Sequence, residues 1–379
     1  MAKKVLILGG GDGGTILANR LVKKLSPDQV EVEVVDKSDI HWYQPGFLFV
    51  ATGEAEKEDI SRRRPKLFRK GVKFTKGEAK KIDLDNRSVE ISDGTKKTYD
   101  YLVIATGSSL NPDEIPGFTE GVDHFWNYDA AMKLRKKLFS IKEGKVIVGI
   151  GGLLYKCPVA PLEIVFLAEE IFRRRGVRDK IEIKYVSPID RAYAPHLLNK
   201  VIEDEMKKRG IDVITFFSVD TVDPEKKVVN SLEGDSLEYD LLILTPPQQG
   251  AKVVRDSGIG DDEGWIPVDK YFLNVEGYDD AFAVGDATAL PTPKTGVIAH
   301  FQAATLANNL AVEITGEGTK ELFDGQSFCV IETGMGKASA QVSNYFYDVP
   351  PGLIPNWLLH AMKLAMNKMY WRCILSGMI

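Results

Sequence analysis

Cysteine is scarce in this chain of 379 residues: Cys157, Cys329 and Cys373 are all it has. Three is too few, and odd, for a secreted disulfide framework, so a pairing among them is expected to do chemistry rather than staple the fold. Cys157 lies in Lys156-Cys157-Pro158-Val159-Ala160-Pro161, and Glu163 follows it by six residues, near the start of an expected helix. A carboxylate there can take a proton from a thiol. It equally suits the positive end of a helix with no chemical role. The second pattern with chemical content is Gly9-x-Gly11-x-x-Gly14, followed by Asp36. Such glycines permit a tight turn and let backbone amides approach a diphosphate at a helix N-terminus, while an acid roughly twenty residues on accepts from ribose hydroxyls.

These residues need elements to hold them. Residues 3–8 form an apolar β run, 15–25 carry helical periodicity and 30–35 read as a second strand, so the glycines sit between strand and helix as a dinucleotide site requires. Residues 98–109 form a buried strand ending in Ala105-Thr106-Gly107, and residues 281–289 another ending in Gly285-Asp286. Between them lies a second α/β unit: strand and turn over 144–152, a helix over 160–175 and a strand over 179–188. Its turn reads Gly149-x-Gly151-Gly152-Leu153-Leu154, with leucine where a third small residue belongs, and its next strand ends Val186-Ser187-Pro188 without a ribose acid. A working NADH site is therefore not expected there. The Cys157 segment follows this turn directly.

The segments ending in Thr106-Gly107 and Gly285-Asp286 resemble those that close the FAD domain of the two-dinucleotide-binding-domain flavoproteins. That resemblance implies that Asp286 meets the ribityl chain. Within that group, Cys157-Pro158-x-Ala160-Pro161 with Glu163, residues 237–247, Pro291-Thr292-Pro293-Lys294-Thr295-Gly296 and residues 328–334 together resemble the sulfide:quinone oxidoreductases and flavocytochrome c sulfide dehydrogenase, over nearly the whole chain. The resemblance implies that Cys157 and Cys329 face the flavin and carry sulfur as a disulfide or polysulfide bridge. Hydrosulfide can open such a bridge, leaving one persulfide and one thiolate. The implied reaction is oxidation of sulfide to sulfane sulfur or polysulfide, with electrons passing through FAD to a membrane quinone. His196 matches a histidine near that family's active side, and Lys294 is expected near the flavin's pyrimidine edge, where a cation favours the reduced form. Gly13, Asp12, Lys37, Gln44, Ala79, Thr106, Gly107 and Gly296 complete the expected FAD contacts. No cysteine precedes Cys157, so FAD is expected to be held without a covalent bond. Cys373 lies outside these motifs.

The fold expected is α/β, with two Rossmann-like domains and a small C-terminal region: FAD-binding residues 1–112 and 245–320, a second Rossmann-like unit with a degenerate nucleotide site over 113–244, and 321–379 beyond. In residues 352–379 polar side chains recur three or four apart within a wide apolar face, as in a helix lying on a membrane. Its cations are expected at headgroups, and deletion from about Pro351 onward is expected to release the protein from the membrane. The net charge of −5 gives no nucleic-acid footprint, and the run Arg62-Arg63-Arg64 reads as a solvated face. With no room for a signal sequence before the first strand, the expected location is peripheral, on the cytoplasmic side of a membrane, and a homo-oligomer stays open. Two other functions compete: a type II NADH:quinone oxidoreductase, which needs a working second turn and no thiols, and a flavin-bearing scaffold without catalysis.

Overall fold

A computed structural model describes residues 1–346 and 354–378, without the side chain of Leu197. The chain follows one plan twice. The first parallel sheet runs, in spatial order, Ala281–Ala283, Tyr101–Ile104, Lys3–Leu8, Val30–Asp36 and Val72–Lys76. The second runs Ile211–Ile214, Ile181–Val186, Gly144–Ile150 and Leu241–Thr245. Each carries a three-stranded antiparallel meander, over Ala79–Thr98 and Val219–Glu238. A two-stranded link, Ser108–Leu110 against Gln248–Gly250, joins the halves. The strands are continuous apolar runs because helices cover both faces of a parallel sheet, and Ile7, Val34 and Val103 are fully buried.

Strand Lys3–Leu8 passes into helix Asp12–Lys24 within three residues, and the glycines make this possible. Gly9 has φ +99°, a conformation L side chains rarely adopt. A Cβ on Gly14 would lie 1.9 Å from the Gly9 carbonyl oxygen, so only glycine lets the helix pack this close to the strand. A Cβ on Gly11 would meet nothing within 4 Å. These are the three separate duties that a diphosphate turn assigns its glycines. They yield a contrast: Gly14→Ala should fail to accumulate as folded protein, whereas Gly11→Ala should fold and melt normally yet bind FAD at least roughly tenfold more weakly, because its methyl fills the space the diphosphate needs. Equilibrium FAD titration of the apoprotein beside a thermal melt checks both.

The second turn is built differently. Strand Gly144–Ile150 ends ten residues before helix Ala160–Arg174 begins. Its glycines are consumed by packing: a Cβ on Gly149 would lie 2.2 Å from the Val186 carbonyl oxygen, one on Gly151 2.4 Å from that of Thr245, and one on Gly152 2.7 Å from Pro247. No helix N-terminus therefore stands at the end of this strand to receive a diphosphate, and Leu153 projects into solvent, 73% exposed. Residues 151–159 form instead an irregular loop that carries Cys157.

Beyond the two sheets, Ser327–Gly334 pairs with Lys337–Ser343 as a hairpin, and helix Trp357–Met369 packs against it. Asn356 caps that helix, its side chain accepting from the Leu359 amide at 3.0 Å. A short π-turn, Tyr370–Ile374, then docks onto the first unit. Asn19 donates to the carbonyls of Leu67 and Leu375 at 2.9 and 2.7 Å, Arg69 donates to that of Ser376 at 2.8 Å, and Tyr370 and Leu375 are buried in the core around the first sheet. This changes the expectation for a truncation: deletion from Pro351, which itself lies outside the described residues, removes core side chains, each stabilising by about 1.5–3 kcal/mol, as well as an outer surface. The basic run also differs from its expected reading. Arg62 and Arg63 are exposed, but Arg64 is buried, 3.6 Å from Asp36 and donating to the carbonyls of Ser38 and Ile40.

Candidate active site

The C-terminal ends of the first sheet converge with the N-termini of helices Asp12–Lys24 and Gly296–Thr315. At the end of Val30–Asp36, the Asp36 carboxylate accepts from the amides of Gly10 and Ser38 at 2.7 and 2.8 Å, which holds it beside the turn. Thr106, just past strand Tyr101–Ile104, has a buried hydroxyl without a partner among the described residues, and so does the amide nitrogen of fully buried Gln302. Gln302 lies on the second helix, and its oxygen accepts from the Gly285 amide at 2.6 Å. Buried polar atoms seldom stay unpaired, so these orphans, together with the open space at Gly11 and Gly107, fit a bound dinucleotide with polar edges. Gly13 packs on Val284, and a Cβ on Gly296 would lie 2.6 Å from an Asp12 oxygen, so both glycines bring the two helix ends together. Lys37 and Gln44 are exposed, and Ala79 opens the first meander.

Cys157 reaches this region from the second unit. Its amide donates to the Lys294 carbonyl at 3.0 Å, and the neighbouring Lys156 ammonium lies 3.7 Å from Asp286. The residue has φ +60°, a left-handed backbone that costs a non-glycine residue about 1–2 kcal/mol. Here the fold holds a strained residue at a chemical site. Cys329 lies on the hairpin strand Ser327–Gly334. Both thiols are half-buried and free, and both pack against the core of the second unit. Burial pushes the Cys157 thiol well above its ordinary range, with the charges of Glu163 and Cys329 adding to the rise. Burial likewise raises Cys329 to about 11. Each thiol is therefore neutral at pH 7 when reduced.

Between them lies a buried charge network that the linear order of residues conceals. Glu163, in the first turn of helix Ala160–Arg174, is paired with Lys363 of helix Trp357–Met369 and accepts from the Glu332 amide at 2.9 Å. Lys363 also donates to the carbonyl of Val330, the residue after Cys329, at 3.0 Å. Burial lowers the Lys363 ammonium, but the Glu163 and Glu332 carboxylates outweigh it and hold the group above its ordinary range. His360 meets Glu332 at 2.9 Å, and burial raises that carboxyl. Tyr43 donates to Asn367, and Tyr370 donates to Asp12 at 2.5 Å while its oxygen lies 2.6 Å from His41. His360, Lys363 and Asn367 thus turn inward, where headgroup contacts were expected, because partners for them lie inside the protein.

Lys294 is anchored beside the Gly285-Asp286 turn. Its ammonium donates to the carbonyls of Asp286 and Thr288 at 3.2 and 2.8 Å and lies 3.8 Å from the centre of the Trp265 ring; burial lowers it. It fixes the Gly285-Asp286 turn from behind, and Lys156 is the cation that approaches the Asp286 carboxylate. His196 opens helix His196–Lys208 and is exposed. Residues 3–307 match the family model described as pyridine nucleotide-disulphide oxidoreductase. The chain belongs to that family. As a pyridine nucleotide-disulphide oxidoreductase it is a flavin-dependent oxidoreductase with FAD as cofactor. It is 27% identical to the mitochondrial sulfide:quinone oxidoreductase of Mus musculus, over 99% of this chain and 86% of that protein. It is also 27% identical to the type II NADH:quinone oxidoreductase of Staphylococcus saprophyticus, over 84% of each. Its fold is that of the sulfide:quinone oxidoreductase from Aquifex aeolicus, with a TM-score of 0.88 at 24% identity, over 99% of this chain and 92% of the solved one.

Proposed function

We propose that this family member oxidises sulfide to sulfane sulfur or polysulfide and passes the electrons to a membrane quinone. One observation carries the reading: a strained cysteine occupies the loop where the second nucleotide turn would have opened a helix, and a second thiol stands near enough to influence its charge. In the proposed sequence, hydrosulfide attacks the Cys157–Cys329 bridge, the S–S bond breaks, and one persulfide and one thiolate result. A second hydrosulfide takes the outer sulfur of the persulfide away as disulfide, leaving two thiolates whose re-joining into the bridge releases an electron pair; bound FAD would supply the carrier through which that pair reaches quinone, with two protons taken up there. Glu163 and Lys363 fix the two cysteine-bearing elements relative to each other. Asp36 and Asp286, with the turn at Gly9, Gly11 and Gly14, hold the cofactor. Residues 1–112 with 245–320 form the FAD unit in this reading, 113–244 the thiol-bearing unit and 321–379 the remainder.

The alternative, NADH as electron donor, is disfavoured by the packed glycines at 149–152 and the distant helix start. A surface location on a membrane completes the proposal. None of the described helices is long and apolar enough to cross a bilayer, but with His360, Lys363 and Asn367 turned inward, helix Trp357–Met369 presents Trp357, Leu358, Leu364 and Met369 outward, the first 71% exposed. Anaerobic addition of sulfide should bleach the flavin absorbance within the dead time of manual mixing, while equimolar NADH should act at least about a hundredfold more slowly. Faster bleaching by NADH would overturn the proposal.

A further inference from the structure

The apolar outer face of helix Trp357–Met369 does not stand alone. Residues 61–76 contain eight Lys and Arg and no Asp or Glu, and residues 354–379 also lack acids. The fold presses these two acid-free segments together: Arg69 donates to the Ser376 carbonyl, Asn19 ties Leu67 to Leu375, and the Arg62 guanidinium stacks 4.8 Å over the Trp371 ring. The Trp371 indole in turn donates to the Asp59 carbonyl at 3.2 Å. Four cations along the inner side have carboxylate partners: Arg63 and Lys76 at Asp39, Lys73 at Glu33 and Arg64 at Asp36. Arg62, Lys66, Lys70, Lys368 and Arg372 are exposed and have no carboxylate within ion-pair distance among the described residues. Against these five cations the neighbouring segment sets three exposed carboxylates without an ion-pair partner among the described residues, Glu54, Glu58 and Asp59; Glu56 is paired with Arg135.

From this juxtaposition we propose that the docking surface is bipartite and selects a bilayer rich in anionic phospholipid: Trp357 and Leu358 enter the interface while Arg62, Lys66 and Lys70 meet lipid phosphates. The proposal rests on the membrane-surface reading above and deepens it by naming the lipid class and a second contact segment outside the helix. Charge complementarity carries it. A chain with net charge −5 is repelled as a whole by an anionic surface, so five exposed cations carried on two segments that the fold presses together, one of them continuous with the apolar helix, run against the global charge. Each basic residue close to such a surface strengthens binding by roughly fivefold, and the attraction decays within a Debye length.

The test uses the purified holoprotein with vesicles of phosphatidylcholine alone or with one third phosphatidylglycerol, followed by co-sedimentation. The wild type should bind the mixed vesicles on the order of 100-fold more tightly, a preference that molar salt removes. The variant Arg62→Gln/Lys66→Gln/Lys70→Gln, with flavin absorbance and melting temperature unchanged, should lose that preference and retain its binding to phosphatidylcholine. Trp357→Ser/Leu358→Ser should weaken binding to both. Equal binding of wild type to the two vesicles, or a triple variant that still prefers the anionic ones, overturns the lipid selectivity alone. A wild type that sediments with neither overturns the membrane reading itself.

Discussion

Replacing either Cys157 or Cys329 by serine should reduce sulfide-dependent quinone reduction per mole of bound FAD by on the order of a thousandfold or more, because a hydroxyl forms neither persulfide nor mixed disulfide. The thiols come from separate elements, one from the loop before helix Ala160–Arg174 and one from the hairpin strand Ser327–Gly334. If they act as one bridge, the double variant should be about as inactive as each single one, since groups that act as a unit do not add. Cys373→Ser, outside this pair, should retain near-normal turnover. Were the thiols packing groups only, the serine variants would lose about 1 kcal/mol of stability and keep their turnover per flavin. Turnover measured on all four variants, normalised to bound FAD, separates these outcomes, and near-normal activity in either single variant rejects the proposed bridge.

A large stability effect is also expected at Lys363. The Glu163 and Lys363 side chains are 5% and 12% exposed, and a buried charge left without its partner costs far more than the pair contributed. Lys363→Met should therefore lower the unfolding free energy by about 3–5 kcal/mol. Glu163→Gln should also destabilise, and the double variant should lose clearly less than the sum of the two. Chemical denaturation of the four holoproteins measures this coupling; additive losses would mean that the two groups act independently. The sign of the pH dependence follows from the raised Lys363 ammonium. Stabilisation from a cation whose folded pKa lies above its unfolded value is complete below the unfolded value and lost as pH rises through the folded one. The wild type should lose this contribution only in alkaline solution, whereas Lys363→Met should show no such alkaline loss.

The parts of the site built from local chemistry were legible in the amino-acid sequence. Gly9, Gly11 and Gly14 declare themselves because a diphosphate turn needs three small residues at fixed spacing between strand and helix, and Leu154 betrays the second turn by violating the same rule. The orientation of helix Trp357–Met369 was not legible. Its polar residues read as a headgroup stripe because periodicity identifies faces without saying what each face meets. The partners that turn Lys363 and His360 inward, Glu163 and Glu332, belong to a helix and a hairpin strand that only the tertiary fold brings alongside. Nor were the immediate partners of Lys294 legible: the carbonyls of Asp286 and Thr288 and the Trp265 ring hold its ammonium, beside the Gly285-Asp286 turn to which its position in the sequence pointed. Arg64 is buried in a run that looks uniformly solvated because Asp36, at the end of a strand 28 residues earlier, supplies its counter-charge.

The return of residues 370–377 to the first unit reverses the usual order of assembly on the ribosome. The second sheet is contiguous, from Gly144 to Thr245, and can close as soon as that stretch has emerged. The first sheet waits for its edge strand Ala281–Ala283, and its core waits longer still, for Tyr370 and Leu375. At the roughly 5–20 residues per second of translation, strand Val30–Asp36 emerges some 15–70 seconds before the side chains that seal the core around it. During that interval the dinucleotide turn, although encoded at the beginning, has no finished core behind it. The contiguous second sheet is therefore free to close first, while the core behind the dinucleotide turn is completed only when Tyr370 and Leu375 arrive.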